Sequence, residues 1–164
     1  MKEKQVSEFQ SLAIRICDIL NFNNAKDLNL IDVAKSSSIA DYFVVCTADS
    51  RVQVRALMEE LEHELEKDGI FVLRRDGLGD GRWVVLDYGV VIVHIFTADL
   101  REFYHIEKLW VDGKNTMNTA AIEKLKEKLQ KENEVTEKSE QKQTETEEKK
   151  DEKPVEKKTK KQAK

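Results

Sequence analysis

Two apolar runs separated by three residues constrain this chain more than any other feature. Arg82–Leu86 and Val90–Phe96 both read as strands, joined at Asp87-Tyr88-Gly89. A connection that short forces antiparallel pairing, and Gly89 supplies the positive φ that so tight a reversal needs. The stretch around this hairpin, Gly81 to Trp110, holds both tryptophans together with Tyr88, Phe96, Phe103 and Tyr104. A short helix is expected from Asp99, started by Asp99 with Glu102 and running towards Trp110, with Leu100, Phe103 and Tyr104 sharing a face. Strand alternation puts Trp83, Val85 and Asp87 on one side of the first strand, and Val84, Leu86 and Tyr88 on the other. The aromatics therefore divide between core and surface, and the sequence does not say which goes where.

Upstream, the pattern alternates helix and strand. Phe9, Leu12, Ala13, Ile16, Cys17 and Leu20 make one apolar stripe, so residues 7–20 read as an amphipathic helix, with Ser7 and Gln10 as a capping box. Asp27–Val33 is a short strand with Leu28 and Leu30 on one face. Asp41–Thr47 is an almost unbroken apolar run, which suits an interior strand covered on both faces. A second capping pattern, Ser50 and Gln53, opens a helix on Val54, Leu57, Met58, Leu61 and Leu65 that Gly69 stops. Ile70–Leu73 reads as a further strand ending at Arg74-Arg75. The glycines of Asp76–Gly81 enter a strand rather than a helix, so they form a flexible connection and not a phosphate cradle. Ile122, Leu125 and Leu129 support one more helix. Beyond Gln130 the chain is Glu, Lys, Gln and Thr, too poor in apolar residues to offset the entropy of ordering, and is expected to be disordered. The expected organisation is one α/β domain over residues 1–117 and, over 118–164, a charged helical extension with a Lys/Glu-rich tail.

Charge narrows the choice of partner. The chain of 164 residues has a formal net charge of -4. From Glu123 onward, 14 Lys face 11 Glu and one Asp, so the preceding body carries about -6. An acidic body is ill suited to tracking a nucleic-acid backbone and favours a basic partner surface. The alternating charges of the tail make a third reading, an RNA-binding assembly factor acting through its lysines, the weakest of those considered. Cys17 and Cys46 lie in apolar runs without metal-ligand spacing and read as buried free thiols. The N-terminus has no signal-peptide pattern and no segment reaches the ~20 apolar residues of a membrane span, so a cytoplasmic protein is expected.

No catalytic constellation emerges from the sequence. His63 lies on the charged face of the second helix, and His105 sits in a segment of mixed polarity. His94 interrupts an otherwise apolar strand and reads as a hydrogen-bonded interior or edge histidine. The element order matches that of nucleotidyltransferases, whose catalysis needs a Gly-Ser turn and two carboxylates one residue apart to hold divalent metal. This chain has Ala48-Asp49-Ser50 at the turn and arginines on the following strand. No metal, no cofactor and no catalytic residue is expected.

At this point the ordered motifs resemble a known family. Asp41-Tyr42-Phe43-Val44-Val45, Ser50 with Gln53-Val54, Gly81-x-Trp83-Val84-Val85-Leu86-Asp87-Tyr88-Gly89, Val91-x-Val93-His94-x-Phe96 and Arg101-x-Phe103-Tyr104-x-x-Glu107-Lys108-Leu109-Trp110 are similar to the ribosomal silencing factors, also called Iojap or RsfS. The resemblance covers roughly residues 7–112. It implies a mixed sheet flanked by helices, a nucleotidyltransferase-like core without the catalytic carboxylates, and no enzymatic activity. It further implies a translational repressor that binds the large ribosomal subunit through the L-fourteen protein. Such a factor sterically blocks subunit joining when nutrients are short, without direct nucleic-acid readout or a membrane, and forms homodimers off the ribosome. Carried over position by position, the partner surface would comprise Trp83, Asp87, Tyr88, His94, Phe96, Arg101, Tyr104, Glu107, Leu109 and Trp110.

The chain departs from the family pattern at Ala48-Asp49, where a small Gly- or Ser-containing turn is usual. It departs again at Gly89-Val90, where Gly-Asp is usual and an acid near the contact surface is lost. The alternative reading is a nucleotide-binding or nucleotidyltransferase-type enzyme, motivated by element order alone. Interfaces concentrate Trp, Tyr and Arg anchors, which matches part of the transferred set.

Overall fold

The computed structural model describes residues 2–131, with side chains from residue 8 onward. The chain divides into two compact units, Met1–Leu125 and Lys126–Lys164, and the architecture below is that of the first. The tail expected to be disordered lies outside the described residues.

The strands are β1 (Lys26–Asp32), β2 (Tyr42–Ala48), β3 (Arg74–Asp76), β4 (Trp83–Asp87), β5 (Val91–Thr97) and β6 (Thr116–Asn118). They form one six-stranded sheet in the order β3-β4-β5-β2-β1-β6. Only β2 and β5 run parallel; the other four pairings are antiparallel. The helices are α1 (Lys2–Phe22), α2 (Arg51–Lys67), α3 (Ala98–Tyr104) and α4, which begins at residue 119, with a 3-10 turn at Ile106–Leu109.

The expected hairpin is present as β4 and β5, each displaced by one residue from its sequence reading. Trp83 pairs with Phe96, Val85 with His94 and Asp87 with Ile92. Gly89 takes φ 81°, and Asp87 Oδ1 accepts the Gly89 N–H at 2.7 Å, which closes the reversal. At the sheet centre all seven residues of β2 are buried, as its unbroken apolar run requires.

One sheet face is covered by α1 and α2. Their apolar stripes, Ala13, Ile16, Cys17 and Leu20 on one and Val54, Leu57, Leu61 and Leu65 on the other, are buried. Cys17 and Cys46 are free and buried in this layer; burial pushes both thiols up, Cys46 to about 12. Tyr88 belongs to the same side. It is 7% exposed, and its hydroxyl finds no hydrogen-bond partner.

Several boundaries differ from the sequence reading for physical reasons. α1 already runs through Ser7, so Ser7 and Gln10 do not cap it. At α2 the cap is real: Ser50 Oγ accepts the Gln53 N–H at 3.2 Å. The reciprocal bond, however, goes from Asp49 N–H to Gln53 Oε1 at 2.6 Å. The strand read at Ile70–Leu73 forms instead at Arg74–Asp76, against Val85–Asp87 of β4. Phe71 and Leu73 are left exposed; Leu73 makes one bond to β4, its N–H donating to the Asp87 carbonyl at 2.8 Å, and apolarity alone does not extend it into a strand. β6 has no apolar signature at all, and it closes the far edge beside β1. Ile122 of α4 is buried, so the compact unit extends past Met117, where the composition changes.

The Asp76–Gly81 connection is tighter than flexibility implies. Gly77 has φ 85°, and a Cβ there would lie 1.9 Å from the Trp83 carbonyl oxygen. Gly77→Ala is therefore expected to lower stability by at least about 2 kcal/mol, as read from chemical denaturation.

Candidate functional site

The second sheet face is only partly covered. Its floor is a cluster of Ile31, Val33, Ala40, Phe43, Val45, Ile92 and Phe96, with Trp83, Val85, Leu100, Ile106 and Trp110 packed on it half-buried. The strand registers explain the membership. Trp83, Phe96 and Thr47 lie side by side across β4, β5 and β2, as do Val85, His94 and Val45 in the next row. Side chains alternate along a strand, so these rows share the face opposite α1 and α2.

A continuous chain of rings crosses this face. Phe103 meets Tyr104 edge-on at 5.0 Å, and Tyr104 lies 5.1 Å from Trp83. Trp83 stacks on Phe96 at 4.7 Å and reaches His94 at 6.1 Å. His94 meets Phe43 at 5.5 Å, and Phe43 meets Trp110 at 5.3 Å. Its outer rings are open to solvent, Phe103 76% and Tyr104 50% exposed, and beside Trp110 in sequence Leu109 is 77% and Val111 41% exposed. An exposed apolar cluster of this size on a polar rim marks an interaction surface.

α3 and the 3-10 turn frame the face, and Arg101 fixes them. Its Nε and Nη2 donate to Glu107 Oε1 at 2.8 and 2.6 Å. Its Nη1 donates to Thr47 Oγ1 and to the Asp27 carbonyl, both at 2.7 Å. With the Asn29 amide turned to satisfy both its ends, Asn29 Oδ1 accepts from Arg101 Nη2 at 2.9 Å. Asp27 sits at a register shift between β1 and β2 with φ 47°; a bulge leaves backbone groups without ladder partners, and the guanidinium takes up this carbonyl. The single helix read from Asp99 to Trp110 is in fact two pieces. His105, at φ 44° and ψ 44°, ends α3 in the left-handed region and starts the 3-10 turn. Asn115 holds the far end, donating through Nδ2 to the Trp110 carbonyl at 2.8 Å and to the Asp32 carbonyl at 2.9 Å.

His94 is half-buried in the middle of the face. Trp83 Nε1 donates to its Nδ1 at 3.4 Å. Burial holds its pKa down at about 4, from an ordinary 6.5, so the imidazole is neutral at pH 7.

The residues named from sequence thus separate into groups. Trp83, His94, Tyr104 and Trp110 come together on this face, with Asp87 on the same side of β4, while Leu109 stands exposed in the adjoining 3-10 turn. Arg101 and Glu107 form a mostly enclosed ion pair at 2.6 Å, their side chains 13% and 18% exposed, and act as a strut behind the surface. Phe96 is fully buried beneath Trp83, and Tyr88 is buried on the opposite side of the sheet; neither offers surface. Phe103 does not share the packed face of Leu100 and Tyr104 as its spacing suggests, but stands out to solvent. Phe43, Val111 and Asn115 also belong to the face or its frame, and nothing in their spacing distinguishes them from ordinary core or loop residues.

The turn after β2 is fully employed in local structure. Asp49 pairs with Lys26 at 2.7 Å, while Ser50 caps α2. On β3, Arg74 pairs with Asp76 at 3.1 Å and Arg75 with Glu62 at 2.6 Å, leaving no pair of alternate carboxylates. Among the described residues no three His, Cys, Asp or Glu side chains converge as metal ligands, and no helix is long and apolar enough to cross a membrane.

Fold and face together define an α/β domain with an uncovered aromatic surface on one side of a mixed sheet. Comparison with known proteins identifies its kind. A family model described as ribosomal silencing factor during starvation matches residues 6–161, and the chain belongs to that family. It is 36% identical over 113 residues to the ribosomal silencing factor RsfS of Bacillus subtilis, covering 69% of this chain and 91% of that one. The Haemophilus influenzae factor is 40% identical over 84 residues, 51% of this chain and 82% of its own. A mouse protein named mitochondrial assembly of ribosomal large subunit protein 1 is 27% identical over 99 residues, 58% of this chain and 43% of that protein. A crystal structure from Chromobacterium violaceum superposes with a TM-score of 0.57 at 34% identity, covering 63% of this chain and 83% of that one. Another, from Bacillus halodurans, gives 0.53 at 29%, covering 70% and 97%.

Two predictions follow from the geometry of the face. Arg101→Ala leaves Glu107 enclosed without its counter-charge and should cost about 3–5 kcal/mol in a denaturation experiment; adding Glu107→Ala should recover part of that loss. For His94, the unfolded imidazole takes up a proton near pH 6.5, and the folded one only near 4. Stability is therefore lost as pH falls through that window and is unaffected above it. The difference in urea midpoint between pH 7 and pH 4.5 should shrink in His94→Gln.

Proposed function

We propose that the protein is a non-enzymatic translational repressor that binds the large ribosomal subunit through the face built on Trp83, Tyr104, Leu109 and Trp110. The observation that carries this reading is the continuous run of rings from Phe103 to Trp110, exposed at its outer end and braced from behind by Arg101. The names of the relatives supply the kind of partner: silencing of the ribosome for the bacterial factors, assembly of the large subunit for the mouse protein. The partner on the subunit is the L-fourteen protein, at the side that otherwise joins the small subunit. Bound there in the cytoplasm, the factor fills volume the small subunit needs, and translation falls when nutrients are short. No chemistry is required of it; occupancy is the mechanism. The acidic body supports a basic contact surface and speeds encounter with it. Off the ribosome, the same apolar face suits pairing with a second copy.

Sedimentation with isolated large subunits tests the proposal. Wild-type protein is expected to co-sediment and, in a light-scattering assay, to slow joining with small subunits. Tyr104→Ala and Leu109→Ala remove exposed area without opening the core, so both should stay folded and bind at least about tenfold more weakly. Wild-type protein that remains in the supernatant overturns the reading.

A further inference from the structure

The centre of the docking face carries a polar group that the fold uses only in part. His94 stands in a row where its neighbours across the sheet are Val85 and Val45, a position that packing alone would fill with an aliphatic side chain. Part of its role is internal. Trp83 is enclosed enough for its indole N–H to need an acceptor, and His94 Nδ1 is that acceptor at 3.4 Å. An indole nitrogen can only donate, so Nδ1 must present its lone pair, and in a neutral ring the proton then sits on Nε2. The tautomer is set by the protein and not by solvent.

That leaves Nε2–H. Among the described residues it has no acceptor, and it is absent from the buried side-chain atoms that lack a partner, which are the Tyr88 hydroxyl and Thr116 Oγ1. It therefore reaches the surface, on an imidazole whose neighbouring rings, Phe43 and Trp83, lie at 5.5 and 6.1 Å. Once a partner covers the face, water is excluded from this nitrogen, and a buried donor without an acceptor is costly. A partner with an oxygen at this point is accepted; one presenting only carbon is penalised.

Resting on the docking face proposed above, we infer that His94 is its specificity-determining residue. It acts as a fixed Nε2–H donor that requires a carbonyl oxygen of the partner protein at the centre of an otherwise apolar contact. A carbonyl fits better than a carboxylate for two reasons. A partner carboxylate would have to be desolvated against a neutral ring, and it would approach a body of about -6 formal charge. The arrangement resembles a specificity pocket in which a polar group of fixed tautomer stands in an apolar wall: the wall gives affinity, and the fixed donor rejects mismatched partners.

Two measurements test this. Nitrogen-15 spectra of the free protein labelled at histidine should show His94 as the neutral Nε2–H tautomer at pH 7; an Nδ1–H tautomer overturns the inference whatever the variants do. In the co-sedimentation assay, His94→Phe fills the same space without a donor and should bind about 10- to 100-fold more weakly. His94→Gln, which can accept from Trp83 and still donate outward, should stay within about fivefold of wild type. Equal binding by His94→Phe and wild type, while Tyr104→Ala is impaired, overturns the role of His94 and leaves the docking face standing. Unimpaired Tyr104→Ala instead shows that the face itself is misplaced.

Discussion

The docking face depends on one guanidinium. Arg101 has five N–H donors in a rigid fork, and here they reach Glu107, Thr47, the Asp27 carbonyl and Asn29. These partners belong to three separate parts of the fold: the 3-10 turn, the central strand β2 and the bulge in β1. Without that tie, the segment from Ala98 to Trp110 would be a seven-residue helix and a single 3-10 turn. Neither buries a residue fully, and neither is long enough to be stable alone. A lysine could meet one of these acceptors but not all of them. The bulge at Asp27 also gains a purpose: it turns a carbonyl out of the ladder towards the one group able to take it up.

This explains which parts were legible in the sequence. The hairpin, the buried β2 run and the α2 cap are local patterns, set by residues within a few positions of each other, and they form as read. The β6 strand, the shifted β3 and the break at His105 depend on what lies beside them in space. Thr116–Asn118 is a strand because β1 offers an edge. Arg74–Asp76 is one because Val85–Asp87 does, although Ile70–Leu73 is more apolar. His105 ends α3 in a left-handed conformation because the Arg101–Glu107 pair draws the next turn back. Long-range partners of this kind leave no periodic trace.

The site shows the same division. Family resemblance brings together residues that carry the surface and residues that hold it in place, since both recur with the motif. Burial separates them. Trp83 and Phe96 stack face to face as opposite members of one hairpin pair, yet only Trp83 reaches the surface, because it lies over the Phe96 ring. Tyr88 follows the strand's alternation to the other side, under α2. A two-residue period read along β4 is enough to part Trp83 from Tyr88, but no period separates Arg101 from Tyr104.

Rigidity also bears on how such a face binds. An apolar patch gains affinity only to the extent that its side chains need not be ordered at the moment of contact. Here each ring leans on another, from Tyr104 through Trp83 to His94, Phe43 and Trp110, and the frame behind them is held by charged hydrogen bonds shielded from water. Phe103 and Leu109, the most exposed members, are the ones with rotamer freedom left to lose. The face is thus graded from a fixed centre to an adaptable rim, and the His94 Nε2–H, which has no acceptor among the described residues, lies within the fixed part. A polar group on a mobile rim could swing to water when a partner offers no acceptor. One locked between Trp83 and Phe43 cannot, and that immobility lets a single N–H discriminate.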